Sequence, residues 1–180
     1  MPTYIAMLRG VNVSGHKPLG MERLRAALGP LGFTSIKTYL QSGNVVFTTA
    51  KGSPPALATK IHGVIEREFG YSVPVIIRTA AELAQIIADN PFTKDSQIDS
   101  LKLHVTFLSD QSPKTALPLL QPLADGAEQL RVLGREIYLY CPNGYGRTRL
   151  SNTAIEKKLA LAATTRNWKS VNALMQMSSS

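Results

Sequence analysis

Apolar positions recur along the chain with two periods, and the switches between them predict the order of the elements. Thr3 to Leu8 is a short run of strand formers with Tyr4, Ala6 and Leu8 on one face and Ile5 and Met7 on the other. A strand that is apolar on both faces is covered on both sides, so the chain's second half is expected to lie over this first sheet. Met21 to Leu31 follows with Met21, Leu24, Leu28 and Leu31 on one helical stripe and Gly32 placed as its cap. Ser35 to Gln41 and Asn44 to Thr48 flank Ser42-Gly43, where glycine permits the positive φ of a hairpin turn. Pro54-Pro55 then opens a helix through Glu68, with Leu57, Ile61, Val64, Ile65 and Phe69 at helical spacing. Gly70 stops it, and Ser72 to Arg78 returns as a strand.

This order, βαββαβ, is that of a ferredoxin-like plait, an antiparallel sheet with two helices on one face. Thr79 and Glu82 have capping-box spacing and start a helix carrying Leu83, Ile86 and Ile87, which Asn90-Pro91 ends and which bridges to a second half. There Leu101, Leu103, Val105 and Phe107 alternate with Lys102, His104 and Thr106. A proline-interrupted helix around Thr115 to Leu120 precedes strands at Gln129 to Leu133 and Glu136 to Cys141, joined by a Gly134-Arg135 turn. Thr153 and Glu156 form a second capping box, Thr165 caps a last helix through Met175, and no closing strand is visible. The expected fold is α+β, two ferredoxin-like halves packed as one compact unit. Residues 1–90 form a plait plus the bridging helix, and residues 100–180 a βαββ half with two C-terminal helices that lacks the final strand. Pro30, Pro113 and Pro118 disturb the helix boundaries in which they fall.

With 44% hydrophobic and 18% charged residues, the composition excludes a disordered chain. No stretch approaches the ~18 apolar residues of a membrane-spanning helix. Met1 to Leu8 runs into Arg9 with no cleavable leader, and the single Cys141 cannot form an internal bridge, so a cytoplasmic protein without membrane partners is expected. The net charge of +8 favours anionic partners. From Arg147 to Lys169, six basic residues (Arg147, Arg149, Lys157, Lys158, Arg166, Lys169) stand against Glu156 alone. The C-terminal quarter is therefore expected to carry the basic character, either as a solvated helix face or as a surface for nucleic acid or phosphate.

Between the first strand and first helix, Arg9-Gly10-Val11-Asn12-Val13-Ser14-Gly15-His16-Lys17 combines two glycines with cations and polar side chains. Glycines allow backbone N–H groups to converge on an anion, and the following helix adds its positive dipole end. Neither established phosphate-loop spacing is present, and a turn that needs glycine for its backbone is the competing reading. His16, His62 and His104 are too widely separated for a metal centre, and neither metal nor cofactor is expected. Cys141 reads as a small buried hydrophobe, Ser42 sits in a turn and not a nucleophile elbow, and Asp95, Asp99 and Asp110 lie in connections. Tyr138, Tyr140 and Tyr145 either stack on a ligand ring or pack under the C-terminal helices. Asn44 to Phe47 lacks the aromatic and basic spacing of an RNA-recognition strand.

Several blocks carry a family resemblance: Leu8-Arg9-Gly10-Val11-Asn12-Val13, Leu31-Gly32-Phe33 through Thr38-Tyr39 to Gln41-Ser42-Gly43-Asn44-Val45-Val46-Phe47, and Thr164-Thr165-Arg166-Asn167-Trp168. Together the chain resembles the bacterial family catalogued as domain of unknown function 1697 over essentially its whole length. The resemblance implies a two-part plait-like α+β fold; it implies no activity and hands over no catalytic residue.

The ligand-binding candidates are Arg9, Asn12, Lys17, Ser42, Asn44, Arg147, Arg149 and Arg166, and no catalytic residue is assigned. Arginines offer bidentate donors to phosphate or carboxylate. In the expected plait, the end of the first strand and the hairpin lie at opposite ends of the sheet unless the turn folds back, so one common site does not follow from the pattern unless the second half bridges them. Three function classes stay open. The first is a binding module for a phosphate-bearing ligand, nucleic acid or nucleotide. The others are a small-molecule enzyme with its site between the halves and an interaction or assembly protein of undetermined oligomeric state.

Overall fold

The computed structural model describes residues 1–179. The chain forms two compact units, Met1–Ala84 together with the chain from Ala173 on, and Gln85–Asn172. The first unit contains β1 (Thr3–Leu8), α1 (Met21–Leu28), β2 (Thr34–Thr38), β3 (Asn44–Thr48), α2 (Pro54–Phe69) and β4 (Val75–Thr79). Its sheet has the order β2-β3-β1-β4 with every pairing antiparallel, the ferredoxin-like arrangement. Tyr4, Ala6 and Leu8 of β1 join Val45 and Phe47 of β3 in a core with Leu24 and Leu28 of α1 and Leu57, Ile61 and Ile65 of α2. Ile5 and Met7, on the other face of β1, are also fully buried.

Local signals explain the helix ends. The Ser53 hydroxyl accepts from the Ala56 N–H, Pro54 fills the first position of α2, and Gly70 closes it in the left-handed region at φ 78°. Pro30 falls in a 3-10 turn after α1, so α1 is shorter than its stripe predicts, and Gly32 caps that turn. The Thr79 hydroxyl accepts from Glu82 N–H at 3.0 Å while the Glu82 carboxylate accepts from Thr79 N–H at 2.8 Å. That reciprocal box starts α3 (Ala80–Ala88), which begins in the first unit and ends in the second.

The second unit contains β5 (Leu103–Leu108), α4 (Ala116–Leu120), β6 (Gln129–Leu133), β7 (Glu136–Tyr140), α5 (Asn152–Leu159) and β8 (Ala163–Asn167), followed by α6 (Trp168–Ser178). Its order, β6-β7-β5-β8, includes the closing strand that the sequence pattern does not reveal. Ala163-Thr164-Thr165-Arg166-Asn167 has no apolar alternation, yet it pairs with β5 at five positions. The caps shift accordingly. Ser151, not Thr153, caps α5 through Ala154 N–H, and Glu156 accepts from Ala163 N–H at 3.0 Å. Asn167, not Thr165, accepts from Ser170 N–H at 2.8 Å to start α6.

The two sheets repeat register as well as order. Leu8 pairs with Val75 and Ile5 with Arg78, as Leu108 pairs with Ala163 and Val105 with Arg166. Met7 faces Asn44 as Phe107 faces Glu136. The chain is one plait made twice, on sequences with no visible residue-level repeat.

Candidate functional site at the end of the first sheet

Because β3 runs antiparallel to β1 with Asn44 opposite Met7, the hairpin preceding β3 lies beside the end of β1. The expectation of opposite ends is overturned, since the start of an antiparallel neighbour meets the end of the central strand. Leu8 N–H donates to Gly43 C=O at 2.8 Å. Gly43 sits at φ 88°, and a Cβ there would lie 2.8 Å from Val11 Cγ2 and 2.9 Å from Leu8 Cβ. Only glycine permits so close an approach.

Asn12 ties the connection together. Its Oδ1 accepts from Leu19 N–H at 2.7 Å, while Nδ2 donates to the carbonyls of Leu19 at 2.9 Å and Gln41 at 2.6 Å. Its backbone is left-handed at φ 55°, a region asparagine tolerates better than most residues. Beyond it, Asn12 N–H donates to Lys17 C=O and His16 N–H to Val13 C=O, with Ser14 at φ 50° and Gly15 at φ 77°. Two successive positive φ values make this a miniature hairpin with a type I′ turn. Gly15 thus serves a turn, and the converging N–H cradle considered from sequence gives way to a projecting tip where Val13, Ser14, Gly15 and His16 are exposed.

A third segment joins them, the connection between α2 and β4. Arg9 N–H donates to Pro74 C=O at 3.0 Å, and Lys17 Nζ donates to Ser72 C=O at 2.8 Å. His62, from α2, places Nε2 3.2 Å from the Ser72 hydroxyl. Lys17 and His62 are half-buried and Ser72 is exposed, so an ammonium, an imidazole and a hydroxyl gather at one solvent-facing rim.

All five first-unit candidates therefore lie at one sheet end, in two kinds of place. Asn12 and Asn44 are internal struts: Asn44 is fully buried and donates to Tyr39 C=O at 2.7 Å and to the Ser42 hydroxyl at 3.1 Å. Arg9 and Lys17 are half-buried, and Ser42 is exposed. Sequence reasoning missed both His62 and Ser72 as site residues, and it placed Ser72 at the start of a strand, whereas Ser72 lies in the connection that precedes β4. They stand ten positions apart on different elements, and the one available signal was the polar Tyr71-Ser72 pair after the Gly70 stop.

Arg147, Arg149 and Arg166 belong to the second unit. Arg147 and Arg149 are exposed between β7 and α5, and Arg149 donates to Pro122 C=O at 3.1 Å. Arg166 is buried on β8, where it donates to the Thr164 hydroxyl at 2.7 Å and Thr165 C=O at 3.0 Å. Burial lowers its pKa to about 10, which leaves it charged at neutral pH. Nine basic and four acidic side chains fall in the first unit, eleven and eight in the second. The larger share of the positive excess is thus in the first unit, because the second unit's own acids offset its basic C-terminal stretch.

Other chemistry is quieter. Cys141 is buried, and burial, with Glu128 nearby, pushes its thiol up to about 11, far from a nucleophilic thiolate. Tyr138 is buried and donates to Ile86 C=O at 2.7 Å, and Tyr140 lies tilted against Phe92. Among the described residues no three His, Cys, Asp or Glu side chains gather to hold a metal ion, and no helix is long and apolar enough to cross a membrane.

The family model described as "Protein of unknown function (DUF1697)" matches residues 1–138. Among curated proteins none matches. Among solved structures, the conserved bacterial protein SP0830 from Streptococcus pneumoniae is 20% identical, with a TM-score of 0.72 and 98% of each chain covered. At that identity the likeness shows a shared fold, and a shared fold carries no activity with it.

Proposed function

We propose that this chain, which belongs to the DUF1697 family, is a binding module for a phosphate-bearing ligand and that the phosphates engage the end of the first sheet. The observation that carries this reading is the convergence of Lys17 Nζ and His62 Nε2 on Ser72, 2.8 Å and 3.2 Å from its carbonyl and hydroxyl. An ammonium, an imidazole and a hydroxyl supply up to three donors to one phosphate, and the first unit's positive excess supplies the attracting field. Asn12, Gly43 and Asn44 act as positioning residues that hold the hairpin tip and the turn at Ser42 beside that rim. The site is an open rim and not an enclosed pocket, which suits the backbone of a nucleic acid better than a small nucleotide.

Fluorescence anisotropy with labelled short single-stranded RNA at a series of salt concentrations tests this. The wild-type chain is expected to bind with an affinity that falls steeply with salt. Lys17→Ala is expected to weaken binding about 3- to 10-fold at low salt and to flatten the log–log salt slope by roughly 0.7, the release of one phosphate contact on a single strand. A slope unchanged by Lys17→Ala and by His62→Ala would remove this site from the reading.

A further inference from the structure

The two turns at the end of the first sheet carry apolar side chains as well as cations. Among the described residues of the first unit, the exposed large apolar side chains are Met1, Val13 and Leu40, and the last two each stand one residue from the Asn12–Gln41 hydrogen bond. Val13 is 55% exposed on the tip of the miniature hairpin, opposite His16. Leu40 is 53% exposed in the neighbouring turn, where its carbonyl accepts from Gly43 N–H.

Folding alone gives little reason for either. Leu40 has φ 60°, a left-handed backbone that costs any residue with a Cβ and that leucine, with no polar side-chain group, cannot offset by bonding locally. Asparagine or glycine makes such a turn with less strain, and the chain uses both nearby, at Asn12 and Gly15. Of the six non-glycine residues with positive φ among the described residues, four (Asn12, Ser14, Lys17 and Leu40) lie in these two turns. Strained backbone gathers where the resulting shape has a use. The shape here holds two aliphatic side chains in water next to the segment that carries Lys17.

We infer that Val13 and Leu40 are the base-contacting residues of this end of the sheet, and that they make it select single-stranded nucleic acid over duplex and over a phosphate chain without bases. The inference rests on the reading of the Lys17–His62–Ser72 rim as a phosphate site. A strand whose phosphates lie on that rim presents the apolar faces of its bases to the adjoining turns, and aliphatic side chains wedge against bases that are not already stacked and paired. An anionic lipid surface also joins phosphate to apolar chains. Stable anchoring there takes more than one whole acyl chain, and two half-exposed aliphatic side chains offer less than that.

Fluorescence anisotropy of the full chain with three labelled probes tests the assignment: a short oligoadenylate, the same strand annealed to its complement, and an abasic strand of equal length. The wild-type chain is expected to bind oligoadenylate more tightly than either of the others. Leu40→Asn is expected to weaken oligoadenylate binding about fivefold and to leave binding of the abasic strand unchanged. It removes no phosphate contact, so the log–log salt slope stays as in wild type, whereas Lys17→Ala flattens that slope. Asparagine tolerates φ 60°, and the melting temperature of Leu40→Asn is expected to stay within about 2 °C of wild type. Val13→Ser, on the exposed tip, is expected to act in the same direction with a loss of about twofold, and it carries the test alone if Leu40→Asn unfolds. Equal wild-type affinity for oligoadenylate and the abasic strand would overturn the inference. So would affinities untouched by both apolar substitutions, or equal losses on the two single strands; if Lys17→Ala still flattens the slope, the phosphate rim stands without the base contacts. Failure of every strand to bind would remove the rim and the base contacts together. Leu40-dependent sedimentation of the chain with phosphatidylglycerol vesicles would overturn the inference by assigning the apolar pair to lipid.

Discussion

At the scale of single residues, the site end of the first sheet hangs on Asn12. One side chain bonds both backbone groups of Leu19 and the carbonyl of Gln41, so it joins the β1–α1 connection to the β2–β3 hairpin. Asn12→Ala removes all three bonds and leaves the two partly buried backbone groups of Leu19 without partners, at about 1 kcal/mol each, while the exposed Gln41 carbonyl turns to water. It also places alanine at φ 55°, where a residue that cannot bond locally adds about 1 kcal/mol of strain. The expected loss is ~3 kcal/mol, or roughly 6 to 12 °C in melting temperature for a chain of this length. Asn12→Gly removes the same bonds without the strain and is expected to fall less far. Circular-dichroism melts of both variants check the pair, and equal melting temperatures for Asn12→Ala and wild type would show that these bonds hold nothing.

At the scale of elements, α5 ends in a way that no side-chain pattern announces. Its cap, Ala160, is exposed at φ 56°, where α2 uses Gly70 at φ 78°. Ala160→Gly relieves a strained backbone in the folded state but adds freedom to the unfolded chain, so the expected net gain is ~0.5 to 1 kcal/mol, about 1 to 4 °C. A fall in the melting temperature would mean that unfolded-chain entropy outweighs the strain. The same contrast explains which elements the sequence discloses. α2 was readable because its serine cap, its prolines, its apolar stripe and its final glycine agree. β8 was not, because two threonines, an arginine and an asparagine carry no alternation, and its pairing with β5 depends on residues some sixty positions earlier. The candidate site divides likewise. Arg9, Asn12, Lys17, Ser42 and Asn44 were found as polar residues at strand ends, whereas the grouping of His62 with Ser72 and Lys17 exists only once α2 and its following connection are folded beside the β1–α1 loop.

At the scale of the whole molecule, one plait topology and register carries two different sets of side chains. The first sheet has an apolar helix-facing core and a cationic rim; the second has His104, Thr106 and Thr165 at positions where the first has Tyr4, Ala6 and Ile77. The charge ledger separates them again, nine bases with four acids against eleven with eight. Total charge and local placement make different predictions for the binding of single-stranded RNA. Lys60→Glu with Arg67→Glu changes α2, the helix that carries His62, while Lys157→Glu with Lys158→Glu changes α5, and each pair lowers the net charge by the same amount. If the long-range field alone governs association, the two double variants weaken binding equally at low salt, where the Debye length reaches ~30 Å at 0.01 M. With the phosphates engaged at the end of the first sheet, the α2 pair weakens binding more. The gap should persist near 0.15 M salt, where screening within ~8 Å leaves only nearby charges to act. Anisotropy titrations of both variants at the two salt concentrations decide between these outcomes, and a larger effect from the α5 pair would move the phosphate site to the second unit.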